Sequence, residues 1–350
     1  ARLHAGRRNQ RRVDLEAHGV GTAQIEHDFR SGFSLRNVSR LGETRRDSII
    51  TPPRFASNDS TDVRRTDVKS RDQNDSIVAN QTNVTGRVSA LGLQHDIVTG
   101  VEVARERSKN YARVEVGPGM PTSPNTDLYR PNPGDAYAGQ MVRNGAFTDA
   151  TADSLGAYAF DTVKFSEKFE ATGGLRWDRF KVDYMSVAAT GVATPLASTD
   201  RMVSWRAGGI SKPKPYGSVY LGYATSFNPS AEGFALTTST VNLEPEKTRT
   251  AEAGTKWDLM RERMSFNAGV FHTEKTNART PGINAGDPPT VLAGKQVVNG
   301  VELGVTGRFN RRLTGIMNYS YMHSEIPRSN TAAEIDQTLA LIRRAKQSLD

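Results

Sequence analysis

Gln296–Phe309 reads QVVNGVELGVTGRF, and its side chains alternate. Val301, Leu303, Val305 and Phe309 fall on one face of an extended chain, with Glu302, Gly304, Thr306 and Arg308 on the other. A period of two marks a strand with one apolar side. A second run follows from Leu313 to Ser324, with Met317, Tyr319 and Tyr321 on one face and Asn318 and Ser320 on the other. Only Asn310, Arg311 and Arg312 lie between the two runs, so they are predicted to form a β-hairpin.

The same unit recurs along the chain. Thr250–Leu259 precedes Met264–Glu274 through Met260, Arg261 and Glu262, and Met202–Ile210 precedes Gly217–Phe227 through a SKPKP corner. Leu155–Phe165 and Phe169–Tyr184 are joined by Ser166, Glu167 and Lys168. Ile77–Ala90 and Asp96–Arg107 meet at a Leu-Gly corner, and Thr22–Phe29 and Gly32–Leu41 at Arg30 and Ser31. These six hairpins give twelve strands of roughly 8 to 14 residues each, longer than is usual in soluble sheets. Tight corners alternate with long connectors over 42–76, 108–154, 185–201, 228–247 and 275–295, which carry Pro, Gly, Asn, Asp and Thr. Short turns at one end and long loops at the other mark an outer-membrane barrel.

Composition agrees. The hydrophobic fraction is 36% and the mean hydropathy −0.55, low for a protein with a large core. A wide barrel needs apolar residues only on its lipid-facing half, because its interior is polar or plugged. Tyr216, Tyr220, Tyr223 and Phe227, and likewise Trp177, Phe180 and Tyr184, cluster near strand ends as an interfacial girdle would, although aromatics are common in any sheet. There is no cysteine, hence no disulfide or thiolate metal site, and no apolar run long enough for a spanning helix. The start, ARLHAGRRNQRR, lacks the apolar core of a signal peptide, so the chain is expected either to stay unexported or to begin downstream of its true start. A net charge of +8 favours anionic partners.

Residues 242–259, NLEPEKTRTAEAGTKWDL, carry a further signal. Leu243, Pro245, Glu246, Glu252, Gly254 and Lys256 match the Leu-x-Pro-Glu…Glu-x-Gly-x-Lys signature of TonB-dependent outer-membrane receptors, which the chain resembles. YATSFNPSAEG (Tyr223–Gly233) upstream, and FHTEKTNA with VNGVELGVTGRF downstream, resemble the flanking family strands. The resemblance covers roughly residues 20–325 and over 155–325 is most similar to the catecholate siderophore receptors. It implies a transmembrane antiparallel β-barrel of 22 strands in the bacterial outer membrane, filled by an N-terminal plug. The implied function is uptake of ferric siderophore, with iron as cargo and no resident cofactor, energised by TonB–ExbB–ExbD through the plug. Outer-membrane lipid and lipopolysaccharide are further implied partners. The chain departs from this pattern in showing no plug segment before residue 20, twelve strands instead of 22, and no terminal aromatic residue. The expected organisation is a basic stretch over 1–19, a partial barrel over 20–325, and a tail over 326–350. Ile335, Leu339, Ile342 and Leu349 space that tail as a short amphipathic helix.

A catecholate complex of ferric iron is anionic, so its capture calls for cations and aromatic groups in wet loops. The connector over 108–154 offers Lys109, Tyr111, Arg113, Tyr129, Arg130, Tyr137 and Arg143, beside Arg105 and Arg107 at the strand end. Basic loop residues serve equally to bind lipopolysaccharide phosphates or to keep a surface hydrated. Pro245 and Glu246 read as structural: proline suits the start of a strand, and Glu246 beside Lys247 can stay hydrated at the rim. On the strand that follows, Ala251, Ala253, Thr255 and Trp257 are assigned to one face and Glu252, Gly254, Lys256 and Asp258 to the lumen.

No catalytic constellation is present. His4, His18, His27, His95, His272 and His323 are scattered, with no metal-ligand spacing, and no Gly-x-Ser-x-Gly elbow occurs. Arg7, Arg8, Arg11 and Arg12 lack the interleaved aromatics of a nucleic-acid surface. The expectation is therefore a receptor and not an enzyme, with no nucleic-acid partner. A passive porin or adhesin barrel is the alternative, and a soluble carbohydrate-binding β protein a third reading.

Overall fold

The computed structural model of the chain describes residues 13–50, 54–57, 60–64, 68–117, 125–132, 139–261, 263–280, 291–308, 312–336 and 347–349. Its strands are β1 (Val13–Asp28), β2 (Phe33–Ile50), β3 (Arg54–Phe55), β4 (Asp62–Arg64), β5 (Lys69–Ala90), β6 (Leu93–Val116), β7 (Thr126–Asp127), β8 (Gln140–Lys164), β9 (Phe169–Val187), β10 (Ala193–Lys214), β11 (Gly217–Asn228), β12 (Glu246–Leu259), β13 (Met264–Thr280), β14 (Val291–Arg308), β15 (Thr314–Arg328) and β16 (Gln347–Leu349). Thirteen of them form one sheet in which neighbours in sequence are neighbours in space, and β3, β4 and β7 make a small second sheet within the long connectors. Every large-sheet pairing is antiparallel.

All twelve strands read from alternation are present, and all six hairpins with them. The strands are longer than predicted, from 12 residues in β11 to 25 in β8. Most of their extra length lies at the ends away from the tight turns, where polar residues on both faces weaken the period-two signal, although β10 also runs on through Ser211–Lys214 toward its turn. The connectors shrink accordingly: that over 108–154 is strand up to Val116 and again from Gln140, and that over 185–201 shortens to 188–192. At the Leu-Gly corner, Leu91 and Gly92 both hold positive φ, 54° and 77°, the backbone of a mirror-image two-residue hairpin turn.

Two terminal expectations change. Strand β1 begins at Val13, inside the stretch left unassigned, while Arg7, Arg8, Arg11 and Arg12 lie outside the described residues. The tail contributes a short 3₁₀ turn over Ala332–Glu334, and Gln347–Leu349 pairs as a strand with Tyr319–Tyr321 where a helix was expected; 337–346 lie outside the described residues. An open sheet edge on β15 offers ladder partners that a single turn of helix cannot supply.

Register assigns the two faces. Val101 and Val103 on β6, Leu155 on β8, Leu175 and Trp177 on β9, and Val203 and Trp205 on β10 share one face with Leu221 on β11, Val270 on β13, and Val301 and Leu303 on β14. Each of these side chains is exposed. A continuous apolar surface of this breadth calls for lipid or a partner. The opposite face carries Glu102, Tyr158, Arg176, Asp178, Arg206, Tyr220, Glu252 and Lys256. The one buried apolar cluster among the described residues lies on this polar side near the loop ends. There Ala231 and Leu236 of the β11–β12 connector pack onto Ala152 and Val182, flanked by Phe180, Tyr184, Leu196, Phe234 and Val241.

The ladder parts between β5 and β6 beyond Gln73↔Asn110, and again between β10 and β11. β10 and β11 pair from Lys214↔Gly217 only as far as Arg206↔Ala224, although β10 continues to Ala193 on β9, and β11 to Asn228 on β12. At the fork the Trp205 N–H donates to the Thr225 hydroxyl at 3.0 Å, so a side chain stands where the ladder would continue.

Candidate functional site

Most of the basic residues proposed for ligand capture are strand residues. Arg105, Arg107, Lys109, Tyr111 and Arg113 lie on β6 and Arg143 on β8. Arg105, Arg107 and Lys109 continue the face of Val101 and Val103 beyond its apolar part. Each is matched by an acid: Arg105 grips Asp153 at 2.6 Å, and Arg107 grips Asp149 at 2.5 Å with Lys109 at 3.9 Å. Arg113 bridges Asp47 and Asp72, both at 2.7 Å, and Arg143 donates to Asp72 at 2.7 Å while lying 4.0 Å from the Tyr111 ring centroid. Burial pushes the Asp72 carboxyl up, but the hydrogen bonds and charges of Arg143 and Arg113 outweigh it and hold the group below its ordinary value. Tyr129 and Arg130 do lie in a connector, their N–H groups donating to Asp127 at 2.8 Å each, and both side chains are exposed. Tyr137 lies outside the described residues.

Sequence reasoning missed a network on the polar face. Arg176 reaches Glu102 at 2.6 Å and Asp178 at 2.8 Å, and its guanidinium lies 5.5 Å from the centre of the Tyr158 ring, whose hydroxyl accepts from Gln81 at 3.2 Å. Arg206 sits 4.2 Å from the centre of the Phe160 ring and opens, with Tyr220, Glu252 and Lys256, onto a cavity of about 560 Å³. Period-two counting sorts residues onto faces but leaves open which strands neighbour one another at equal height, so this clustering had no signal beyond polarity.

The motif residues gain roles. Pro245 stands just before β12, as expected of a residue that cannot donate to a ladder. Glu246 is buried instead of hydrated at the rim: it accepts from Lys275 Nζ at 2.6 Å and from the Arg279 N–H at 3.1 Å, tying β12 to β13. Leu243 lines, with Val241 and Asp200, the cleft where β10 and β11 part. Glu252, Gly254 and Lys256 surround one side chain. The Tyr220 hydroxyl donates to Glu252 at 2.6 Å, Lys256 Nζ lies 5.8 Å from its ring centroid, and a Cβ on Gly254 would stand 2.5 Å from the ring. Near the loop ends Asp200 is buried beside Ser230, and burial raises its carboxyl above the ordinary value against the lowering hydrogen bond from the Ser230 backbone and the charge of Arg279. One oxygen, Asp200 Oδ2, has no hydrogen-bond partner.

A family model described as "TonB dependent receptor-like, beta-barrel" matches residues 3–348. The chain belongs to the TonB-dependent receptor family. Among its curated relatives is the catecholate siderophore receptor Fiu of Escherichia coli O157:H7, 30% identical over 353 residues covering 90% of this chain and 45% of the relative. Another is the probable TonB-dependent siderophore receptor PiuA of Acinetobacter baumannii, 26% identical over 89% of this chain and 44% of the relative. The structure of the ferric-catecholate import receptor Fiu from E. coli K12 in its closed form superposes with a TM-score of 0.81 at 26% identity, over 92% of this chain and 49% of that one. The chain therefore spans about half the length of the relatives it matches, and its sheet is part of a TonB-dependent receptor barrel wall. In such a barrel the apolar face meets lipid, the polar face lines the lumen, and the tight turns are periplasmic. On β9 the lipid-side aromatics Phe169 and Trp177 are eight residues apart, or about 20 Å along the normal for a tilted strand, close to the height of the apolar band.

Proposed function

We propose that this chain is part of the barrel wall of an outer-membrane receptor that imports ferric siderophore complexes of the catecholate class, driven through TonB, ExbB and ExbD. Iron travels as cargo, and the wall performs no catalysis. One observation carries the reading: likeness to a ferric-catecholate import receptor over nine-tenths of the chain, joined to a lumenal face where Arg176, Arg206 and Lys256 stand beside Tyr158, Phe160 and Tyr220. Arginine stacked on an aromatic ring offers both charge and a flat apolar surface to an anionic aromatic ligand.

Tyr129 and Arg130 are candidates for first capture at the loop end. Arg105, Arg107 and Lys109 lie on the lipid side above the apolar band, where outer-leaflet headgroups are nearer than any lumenal ligand. The test is growth of an iron-starved strain that lacks its own catecholate receptors, complemented with a receptor carrying this wall. Growth on a ferric catecholate, abolished by loss of TonB, is expected. Folded receptor in the outer membrane without uptake, or steady ion conductance in a planar bilayer, would favour the passive-barrel reading instead.

A further inference from the structure

Above the fork, β10 runs on from Trp205 to Ala193 with β9 along one side and, among the described residues, no ladder partner along the other. The Trp205 N–H turns to that open side, where it donates to Thr225. Backbone groups alternate between the two edges of a strand, so those of Val203, Arg201, Thr199 and Ala197 face the same way, and no hydrogen bond from the described residues answers them. From Ala197 to Val203 this free edge is about 20 Å long. Facing it is the returning connector over 241–245, and between the two lies an open cleft of about 560 Å³. An unanswered row of ladder groups is a template for one more strand.

The parting between β5 and β6 is closed by charge, since Arg113 on β6 reaches across to Asp72 and Asp47. The β10–β11 fork has no such bridge among the described residues, and its outward rim is basic. Arg201 on β10 lies directly across from Arg179 on β9, and Lys247 and Arg249 stand on the same face of β12. Like charges opposite one another destabilise a sheet unless something answers them. Among the described residues, these four cations make no ion pair within 4 Å. The nearby acids do not cancel them: Glu274, opposite Arg249, is taken by Lys295 at 2.8 Å, Asp200 stands on the lumenal face, and Glu244 lines the connector side of the cleft.

We propose that this fork is a strand-addition site for an extended acidic peptide, which pairs antiparallel with β10 along Ala197 to Val203 and turns its carboxylates outward to Arg201, Lys247 and Arg249. Antiparallel is the sense of β10 with both of its neighbours. On an antiparallel partner, the residues whose side chains face outward turn their N–H groups to β10. Acids at every second position therefore meet the cations while their own backbone completes the ladder. Main-chain bonds give such a complex its affinity, and the alternate side chains its specificity. The lower end of the site is closed by the Trp205 N–H on Thr225 and by the Trp205 and Tyr223 rings, stacked at 5.1 Å.

That the site opens to the outside rests on the outer-membrane reading, and the test keeps the two apart. The protein in detergent is titrated against a fluorescent heptapeptide, acetylated and amidated, that alternates glutamate with threonine and spans about 20 Å when extended. Anisotropy reports binding, and heat-modifiable mobility on a gel reports a folded barrel in the same samples. Three further peptides carry lysine in place of glutamate, N-methyl groups on every glutamate nitrogen, or N-methyl groups on every threonine nitrogen. The expected result is saturable binding of the parent peptide and of the threonine-methylated one, with the lysine and glutamate-methylated peptides roughly tenfold weaker or worse. The R201Q/K247Q/R249Q variant should also bind roughly tenfold more weakly, while K168Q/K214Q, at the turn ends of β9 and β10, should bind as the parent does. T199P removes one fork-facing N–H at an edge where proline is tolerated, and should lose affinity with its folded band intact. Equal binding of the two methylated peptides to a folded protein would reveal a patch that takes any polyanion, a lipid headgroup included, and overturns the proposal. A folded parent that binds no peptide, or a folded triple variant of unchanged affinity, overturns it too, and the reverse order of the methylated peptides contradicts antiparallel pairing. A parent that shows no folded band contradicts the barrel reading itself.

Discussion

Glu246 accepts a 2.6 Å hydrogen bond from Lys275, joining the first residue of β12 to the far end of β13. The second carboxylate oxygen takes the Arg279 N–H at 3.1 Å, so one buried acid closes both strands where the β11–β12 connector returns to the wall. Replacing Glu246 with Ala leaves Lys275 without its acid and a backbone donor unpaired, a loss of about 2–4 kcal/mol. The denaturant midpoint of the folded band should fall for E246A, and E246Q, which keeps an acceptor, should fall less.

Gly254 lies under Tyr220. A methyl group there would stand 2.5 Å from the ring, and the ring's hydroxyl is anchored to Glu252. Gly254→Ala should therefore destabilise by about 1–3 kcal/mol through overpacking, and Y220A in the same chain should recover most of that part. Simple additivity of the two substitutions would contradict the packing account.

Asp72 ties β5 to both Arg113 and Arg143, above the apolar band. Its carboxyl titrates lower in the folded protein than in the unfolded chain, so its stabilisation is complete above the unfolded value near pH 4 and is lost as pH falls through the lower folded value. Unfolding followed from pH 7 to pH 3 should show a drop confined to the acid end, and D72N should remove much of it. A loss centred near pH 6 would point to histidine instead.

Asp200 has the opposite sign. Burial raises its carboxyl, so its ionised form opposes the docking of the β11–β12 connector, and that cost disappears as pH falls below the raised value. D200N retains an acceptor for the Ser230 N–H and removes the charge. Hydrogen exchange across 229–245 should be slower in D200N than in the parent at pH 7, and nearly equal at pH 4.

The strands were legible because the apolar band forces alternation on each one: Val301, Leu303 and Val305 face lipid and cannot be polar. The band also hid their true ends. Beyond Val103 the chain turns to Arg105, Arg107 and Lys109 on the same face, and a strand polar on both sides reads as a loop. The alternation therefore ends the strand at Arg107 and leaves Lys109 to a loop, whereas the register places all three on the wall against Asp149 and Asp153. Glu246 resisted for a different reason, since its partners Lys275 and Arg279 lie about 30 positions away and meet it only once β12 and β13 are aligned. The fork between β10 and β11 left no trace either. Both strands alternate normally up to it, and what ends their pairing is the hydroxyl of Thr225 against Trp205, a contact that residue type alone does not announce.

The central claim is that this sheet stands in a membrane with one face to lipid and the other to a wet lumen. The chain has no cysteine, so single cysteines from Thr250 to Trp257 on β12 can carry spin labels one at a time in the protein reconstituted in lipid vesicles. Collision with oxygen, which partitions into lipid, should peak at 251, 253, 255 and 257, and collision with a water-soluble nickel chelate at 250, 252 and 256, in opposite phase, with 254 left as glycine because Tyr220 packs on it. Access of the nickel chelate to both sets would make this a water-exposed sheet and contradict the account.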